Sequence, residues 1–176
     1  LLRELRELDT RWDFDAALYT SSLVAGAGTI DRGPVLARIL RELERASDRP
    51  EVAAALPAIK QGMAGKSAAW ELLKSRHLKS LEAFTAAEKA AAAVVREAHA
   101  MRLIDPRRAE RATFLAGEAG TLAALLRTAN EADGSFQARL ASLGEVAASA
   151  DASLRPAAAQ AEQAIRAFFA ARAEER

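Results

Sequence analysis

A heptad seam runs without a break from Ile59 to Met101. Steps of four and three residues alternate along it, which is the spacing of one helix face packed against partner helices. Its positions are Ile59, Met63, Lys66, Trp70, Leu73, His77, Ser80, Phe84, Ala87, Ala91, Val94, Ala98 and Met101. At about 1.5 Å per residue, a helix from Pro57 to Leu103 would be roughly 70 Å long, much longer than an average globular helix. The seam therefore predicts one long helix around which the rest of the chain packs.

Helical spacing continues on both sides of this seam, and glycine, proline and aspartate mark the ends of the helices. Asp48 is the predicted N-cap of a short helical start, and Pro57 predicts a kink or a restart before the long helix. Asp105-Pro106 predicts a tight reversal that makes the following helix antiparallel to the long one. The predicted helices cover about residues 1–25, 34–46, 57–104, 106–132, 136–150 and 156–176.

No segment alternates in the manner of a strand, so the predicted class is all-α. Most connections are short, which favours an elongated antiparallel helical bundle. Hydrophobic residues make up 51% of the chain and many are alanine, so we expect a thin core anchored by aromatic side chains. The expected anchors are Trp12, Tyr19, Trp70, Phe84, Phe114, Phe136, Phe168 and Phe169. The helix lengths favour two stacked four-helix-type bundles within one domain, about residues 1–80 and 81–176, that share the long helix.

Charge and motif content exclude several functions. The 25 Lys and Arg residues balance 24 Asp and Glu, and a net charge of +1 gives no electrostatic case for a nucleic-acid partner. Cysteine is absent, and His77 and His99 would lie roughly 33 Å apart on the long helix, so we expect no metal and no other cofactor. Hydrolase, P-loop and dinucleotide-binding motifs are missing, so we expect no enzymatic activity of the domain itself.

Polar residues interrupt two of the apolar stripes. Asp15 lies between Trp12 and Tyr19 on the first helix, and Lys66, His77 and Ser80 lie on the long seam near Trp70. A buried unpaired charge is costly, so one interpretation is that Asp15 pairs with a basic neighbour such as Lys66 or Arg76 and sets the helix register. The other interpretation is a small-ligand pocket in the first bundle. Its candidate residues are Trp12, Asp15, Tyr19, Lys66, Trp70 and His77.

A second group of candidates is basic. Arg107 and Arg108 follow the Asp105-Pro106 reversal, at the predicted start of a helix. Positive charge is unfavourable at a helix start, so these two arginines are candidates for contact with an anion or an acidic partner. A solvated turn is the alternative interpretation.

Two segments carry a resemblance to a known family. The opening Leu5-Arg6-Glu7-Leu8-Asp9-Thr10-Arg11-Trp12-Asp13, and then Ile59-Lys60-Gln61-Gly62-Met63 with Leu73-Lys74-Ser75-Arg76-His77, resemble the DAHL family. Its members are double all-helical ligand-binding domains in extracytoplasmic sensors of bacterial histidine kinases and chemoreceptors. The resemblance covers about the first half of the chain, and no binding residue is carried over from it. It implies signalling by small helix shifts.

The leading hypothesis is therefore a periplasmic or extracellular sensor domain of a membrane-anchored bacterial receptor, with a histidine kinase as the first candidate. Its expected partner is a small molecule or a periplasmic binding protein, and pairing of long helices would also give a homodimer. No run of about 18 uncharged apolar residues is present, and both ends follow helical patterns as if cut from longer helices. The alternative is a cytoplasmic helical scaffold or partner-binding module.

Overall fold

A computed structural model describes residues 1–21, 30–104, 109–126, 128, 134–149 and 152–175 of the chain. The six helices within these residues are α1 (Leu2–Ser21), α2 (Gly33–Arg45), α3 (Pro50–Ile104), α4 (Ala109–Leu125), α5 (Gly134–Ser149) and α6 (Arg155–Glu175). No strand occurs among the described residues, and the helices pack on one another. The predicted all-α class and helical bundle are confirmed. The chain forms two compact units, Leu1–Leu78 and Lys79–Arg176, and α3 contributes residues to both.

The seam of α3 is buried or half-buried along its whole length. From Ile59 to Met101, every predicted seam position is at least partly shielded from solvent, and Ala87, Val94 and Ala98 are completely buried. The alternation of four-residue and three-residue steps keeps these positions on one face of the helix, as the spacing predicts. The long helix predicted from this seam is therefore confirmed, and it ends at Ile104 as expected.

The beginning of α3 differs from the prediction. The helix starts at Pro50, so the N-cap is Arg49, whose carbonyl accepts the N–H of Ala53 at 3.0 Å, and Asp48 lies one residue too early. The predicted restart at Pro57 is wrong, because α3 runs through it. Proline removes one helical hydrogen bond, but the side chains before and after it still pack on the first unit's core. Those side chains are Val52, Leu56 and Ile59.

The core of the first unit lies between α1, α2 and the early part of α3. One cluster of buried side chains joins them: Leu8, Trp12 and Tyr19 from α1, Leu36, Ile39 and Leu43 from α2, and Met63 and Trp70 from α3. Each set repeats at three or four residues, or at multiples of these steps, so each helix presents a single stripe to the others. Both tryptophans and the tyrosine are therefore fixed by core packing before any ligand is considered.

Phenylalanine rings anchor the core of the second unit. Phe84 contacts Phe168 with ring centroids 5.5 Å apart, and Phe136 contacts Phe169 at 5.0 Å, both edge to face. Phe114 is not part of this core, because its side chain is 51% exposed. The buried face of α4 consists instead of Ala112, Leu115, Ala116, Ala119 and Leu122. The prediction of Phe114 as an anchor is wrong, and the small side chains of this face let neighbouring helices approach closely.

Three predicted helix ends fall outside the described residues: the end of the first helix near Ala25, the Asp105-Pro106 reversal, and the stop near Asp133.

Candidate functional site

A cavity of about 330 Å³ lies in the first unit between α1, the segment that enters α2, and α3. Both tryptophans of the chain line it, together with four charged side chains. The full lining is Trp12, Ile30, Asp31, Arg32, Gly33, Ser67, Trp70, Glu71 and Lys74. The cavity therefore offers two aromatic surfaces and a mostly polar remainder.

Four residues of α3 line one side of the cavity because helical spacing places them on the same face. Ser67, Trp70, Glu71 and Lys74 are three, four and seven residues apart, so they share one face of the helix. Lys74 reaches back over this face, where its Nζ lies 2.6 Å from Glu71 Oε1 and 5.9 Å from the centre of the Trp70 ring. The ammonium group is therefore held beside both a carboxylate and an aromatic face.

The opposite side of the cavity is a turn that precedes α2. The Gly33 N–H donates to Asp31 Oδ1 at 2.9 Å, which closes a turn through the aspartate side chain. A Cβ at position 33 would lie 3.0 Å from the same oxygen, so the turn fits glycine closely. Pro34 follows in the first turn of α2, where its missing N–H costs nothing. This local geometry places Arg32 at the edge of the cavity.

Arg32 makes a half-buried ion pair with Asp15 of α1. Its Nε donates to Asp15 Oδ2 at 2.6 Å, Nη2 lies 2.5 Å from the same oxygen, and the two side chains are 13% and 11% exposed. The interpretation that Asp15 is paired is therefore correct, but the predicted partners, Lys66 and Arg76, are wrong. Arg32 is the partner because the turn before α2 brings it over α1, and a loop residue is not revealed by the seam of a helix.

Lys66 binds α1 at another place. Its Nζ donates to the Asp9 carbonyl at 2.9 Å, and it pairs with the carboxylates of Asp9 and of Asp13, the latter at 2.7 Å. Burial on its own would lower the pKa of Lys66, but the hydrogen bonds and charges of Asp13 and Asp9 outweigh it and raise that pKa above its usual value. Lys66 thus connects α3 to α1 and is not one of the residues that line the cavity.

Tyr19, Trp70 and His77 form a cluster of rings within the core. The Tyr19 ring centre lies 5.5 Å from that of Trp70 and 4.4 Å from that of His77, and His77 is completely buried. Tyr19 packs against both Trp70 and His77, but neither Tyr19 nor His77 lines the cavity. Of the six predicted ligand-binding residues, Trp12 and Trp70 line it, and Asp15 contacts it only through Arg32.

A polar group of the cavity wall is left without a partner. Trp12 is 4% exposed, and no acceptor in the described part of the chain lies within hydrogen-bond distance of its Nε1. An unsatisfied buried donor costs about 1–3 kcal/mol, so such a group is unusual in a native core. The Nε1 atom is itself shielded from solvent, so the indole N–H is not one of the groups that the cavity exposes.

The cavity residues that sequence reasoning missed are Ile30, Asp31, Arg32, Gly33, Ser67, Glu71 and Lys74. Three of them could have been found, because Ser67, Glu71 and Lys74 flank Trp70 at helical spacing. Arg107 and Arg108 lie outside the described residues, so their partner contact stays a prediction. Among the residues with described positions, no group of three or more potential ligands could hold a metal ion.

The comparisons with known proteins leave the family open. No family model matches the chain, and no curated protein and no solved structure matches it. None of the helices in the described ranges is both long and apolar enough to cross a membrane. The cavity in the first unit is therefore the structural feature that bears on function.

Proposed function

We propose that this chain is a small-molecule sensor domain, the extracytoplasmic part of a bacterial transmembrane signalling receptor such as a histidine kinase. The observation that carries the proposal is the cavity of about 330 Å³ between the two buried tryptophans. Small-molecule sites in proteins measure roughly 300–1,000 Å³, so the volume of this cavity suits a small ligand, and five of its nine lining residues are polar or charged.

The positions of the lining residues support a sensing role. Trp12 belongs to α1, Arg32 immediately precedes α2, and Lys74 belongs to α3. A ligand in contact with all three would favour one relative arrangement of these helices over others, and such a bias is what a signalling domain needs. Helix shifts of about 1–2 Å are enough for signal transmission in known receptors and switches. The 55-residue α3 continues from Lys74 to Ile104 as one helix.

A thermal-shift screen of small metabolites tests the binding part of the proposal. Ser67→Leu is the matched variant, because Ser67 lines the cavity on a helix and leucine would fill the space without breaking the helix. We expect at least one metabolite to raise the melting temperature of the wild type and not that of Ser67→Leu. A metabolite that raises both equally binds elsewhere, and a screen without any hit counts against the sensor role.

The sequence of the parent gene tests the receptor part. Apolar segments of about 20 residues on either side of this domain are expected for a receptor, because that length spans a bilayer as a helix. If the flanking sequence lacks such segments, the membrane-receptor part of the proposal is wrong and only the ligand-binding part remains.

A second candidate function is a helical scaffold that binds a partner protein. The observation in its favour is that Phe14 and Leu18, one helical turn apart on α1, are 64% and 48% exposed. Phe14→Ser with Leu18→Ser would abolish capture of a partner, or dissociate a homodimer in sedimentation velocity, if this surface is an interface. Unchanged association would leave the cavity as the functional site.

A further inference from the structure

We infer that the cavity binds a small carboxylate with a planar apolar part, held by Arg32 and Lys74. The inference rests on the proposed function only in requiring that the cavity binds a small molecule. It adds the chemical class of that molecule, which follows from the hydrogen-bonding groups that the protein leaves unused.

The first unused donor belongs to Arg32. Nε and Nη2 are both directed at Asp15 Oδ2, and nothing in the described parts of the chain accepts a hydrogen bond from Nη1. The ion pair with Asp15 also fixes the orientation of the guanidinium plane. A fixed guanidinium with an open amino group is preorganised for an anion, because little side-chain freedom is lost on binding.

A second donor belongs to Lys74, on the α3 side of the cavity. Its ammonium group contacts Glu71 and keeps further protons available for a ligand. Ser67 adds a hydroxyl, for which no protein partner is found within the described chain. A carboxylate has two oxygens and about four acceptor positions, so it can satisfy several of these donors at once.

The hydrogen-bond acceptors of the cavity lie closer to solvent than its donors. Asp31 uses Oδ1 for the Gly33 N–H, and Glu71 uses Oε1 for Lys74, and both residues are exposed. Arg32 and Lys74 are half-buried, so the shielded side of the cavity presents donors and its acceptors lie toward solvent. A cationic group in the shielded part would meet two positive side chains, which is unfavourable.

The tryptophans define the rest of the ligand. Trp12 and Trp70 are 4% and 8% exposed, so their cavity faces form rigid apolar walls. Flat apolar groups pack well on such faces. A cavity of about 150 Å³ is known to hold benzene, so 330 Å³ has room for a six-membered ring and a short carboxylate arm.

Three ligand probes of one shape and different charge test the inference: phenylacetate, phenylacetamide and phenethylamine. The chain contains two tryptophans, so a ¹⁵N-¹H correlation spectrum shows two indole N–H signals, assigned with Trp70→Phe. We expect phenylacetate to shift the Trp12 signal saturably. The neutral amide should bind about tenfold more weakly, as expected for loss of a charge-assisted hydrogen bond, and the amine should not bind.

Variants connect this response to the named donors. Asp15→Ala combined with Arg32→Met removes the ion pair without leaving a buried charge, and Lys74→Gln removes the ammonium group. Lys60→Gln is the matched control, because Lys60 is also a lysine of α3 paired with a glutamate, its Nζ 2.5 Å from Glu44 Oε1 of α2, but lies outside the cavity lining. We expect about tenfold weaker phenylacetate binding in the first two proteins and none of this loss in the control.

The possible failures separate the two proposals. Equal or tighter binding of the amide or the amine overturns the carboxylate class and leaves the cavity as a ligand site. Equal loss in Lys60→Gln shows a general charge effect and also overturns it. If no probe shifts the Trp12 signal, the planar carboxylate is excluded, and the sensor role then depends on the independent metabolite screen.

Discussion

Arg32 and Asp15, 17 residues apart in sequence, form an ion pair in which Nε donates to Asp15 Oδ2 at 2.6 Å and Nη2 lies 2.5 Å from the same oxygen. The pair ties the turn that precedes α2 to the buried stripe of α1. It also explains why a charged residue occupies a stripe position between Trp12 and Tyr19. The same contact orients the guanidinium that lines the cavity, so the ion pair links the packing of the first unit to its candidate site.

Removal of one partner of this pair should destabilise the protein strongly. Arg32→Met or Asp15→Ala leaves the other charge half-buried without its partner, at a cost of about 3 kcal/mol in the free energy of unfolding. The double variant should lose less than the sum of the two single losses, because it leaves no unpaired charge. Urea unfolding of the four proteins measures the coupling, and additive losses would show that the pair makes no energetic contribution.

Lys66 should give the protein a stability contribution that disappears in alkali. Its pKa in the folded chain is raised above the usual 10.5, so the contribution is fully present below pH 10.5 and is lost as pH rises through the higher folded value. The contribution should be about 1 kcal/mol or less, because Asp13 and Asp9 are 70% and 48% exposed.

Lys66→Met measures this contribution when urea unfolding is compared at pH 7 and pH 11. Lys60→Met serves as the control for a general loss of stability in alkali. We expect the difference between wild type and Lys66→Met to shrink at pH 11 by more than the corresponding difference for Lys60→Met. An equal change in both variants would contradict the assignment.

The long helix could be predicted from sequence because one periodic pattern extends over more than forty residues and many positions agree. The same physics located Trp12 and Trp70, whose stripe positions bury them. It could not locate Arg32, because the contact with Asp15 depends on how the turn before α2 folds over α1, and no periodic pattern describes a turn. Phe114 was predicted as a core anchor because its side chain is large. Its angular position on α4 leaves it exposed, and the neighbouring Leu115 is buried instead.

Pro57 should be a site at which substitution stabilises α3. The residue is exposed and lies inside the helix, where its missing N–H cannot donate to the Ala53 carbonyl. Pro57→Ala restores that bond and should raise the free energy of unfolding by about 1–3 kcal/mol. Pro50→Ala is the control, because proline in the first turn breaks no helical bond and its removal should be nearly neutral or slightly destabilising. A loss of stability in Pro57→Ala would mean that the proline sets a bend that the core requires.

Phe114 and Phe136 should respond oppositely to truncation, although they belong to neighbouring helices of the second unit. Phe136 is completely buried and its ring packs edge to face against Phe169, so Phe136→Ala should cost about 3–5 kcal/mol through lost burial and the remaining cavity. Phe114 is 51% exposed, so Phe114→Ala should change stability by less than about 0.5 kcal/mol. Thermal unfolding of both variants at several protein concentrations provides the measurement. A large, concentration-dependent loss for Phe114→Ala would contradict its assignment as a solvent-facing residue and indicate that a second copy of the chain covers it.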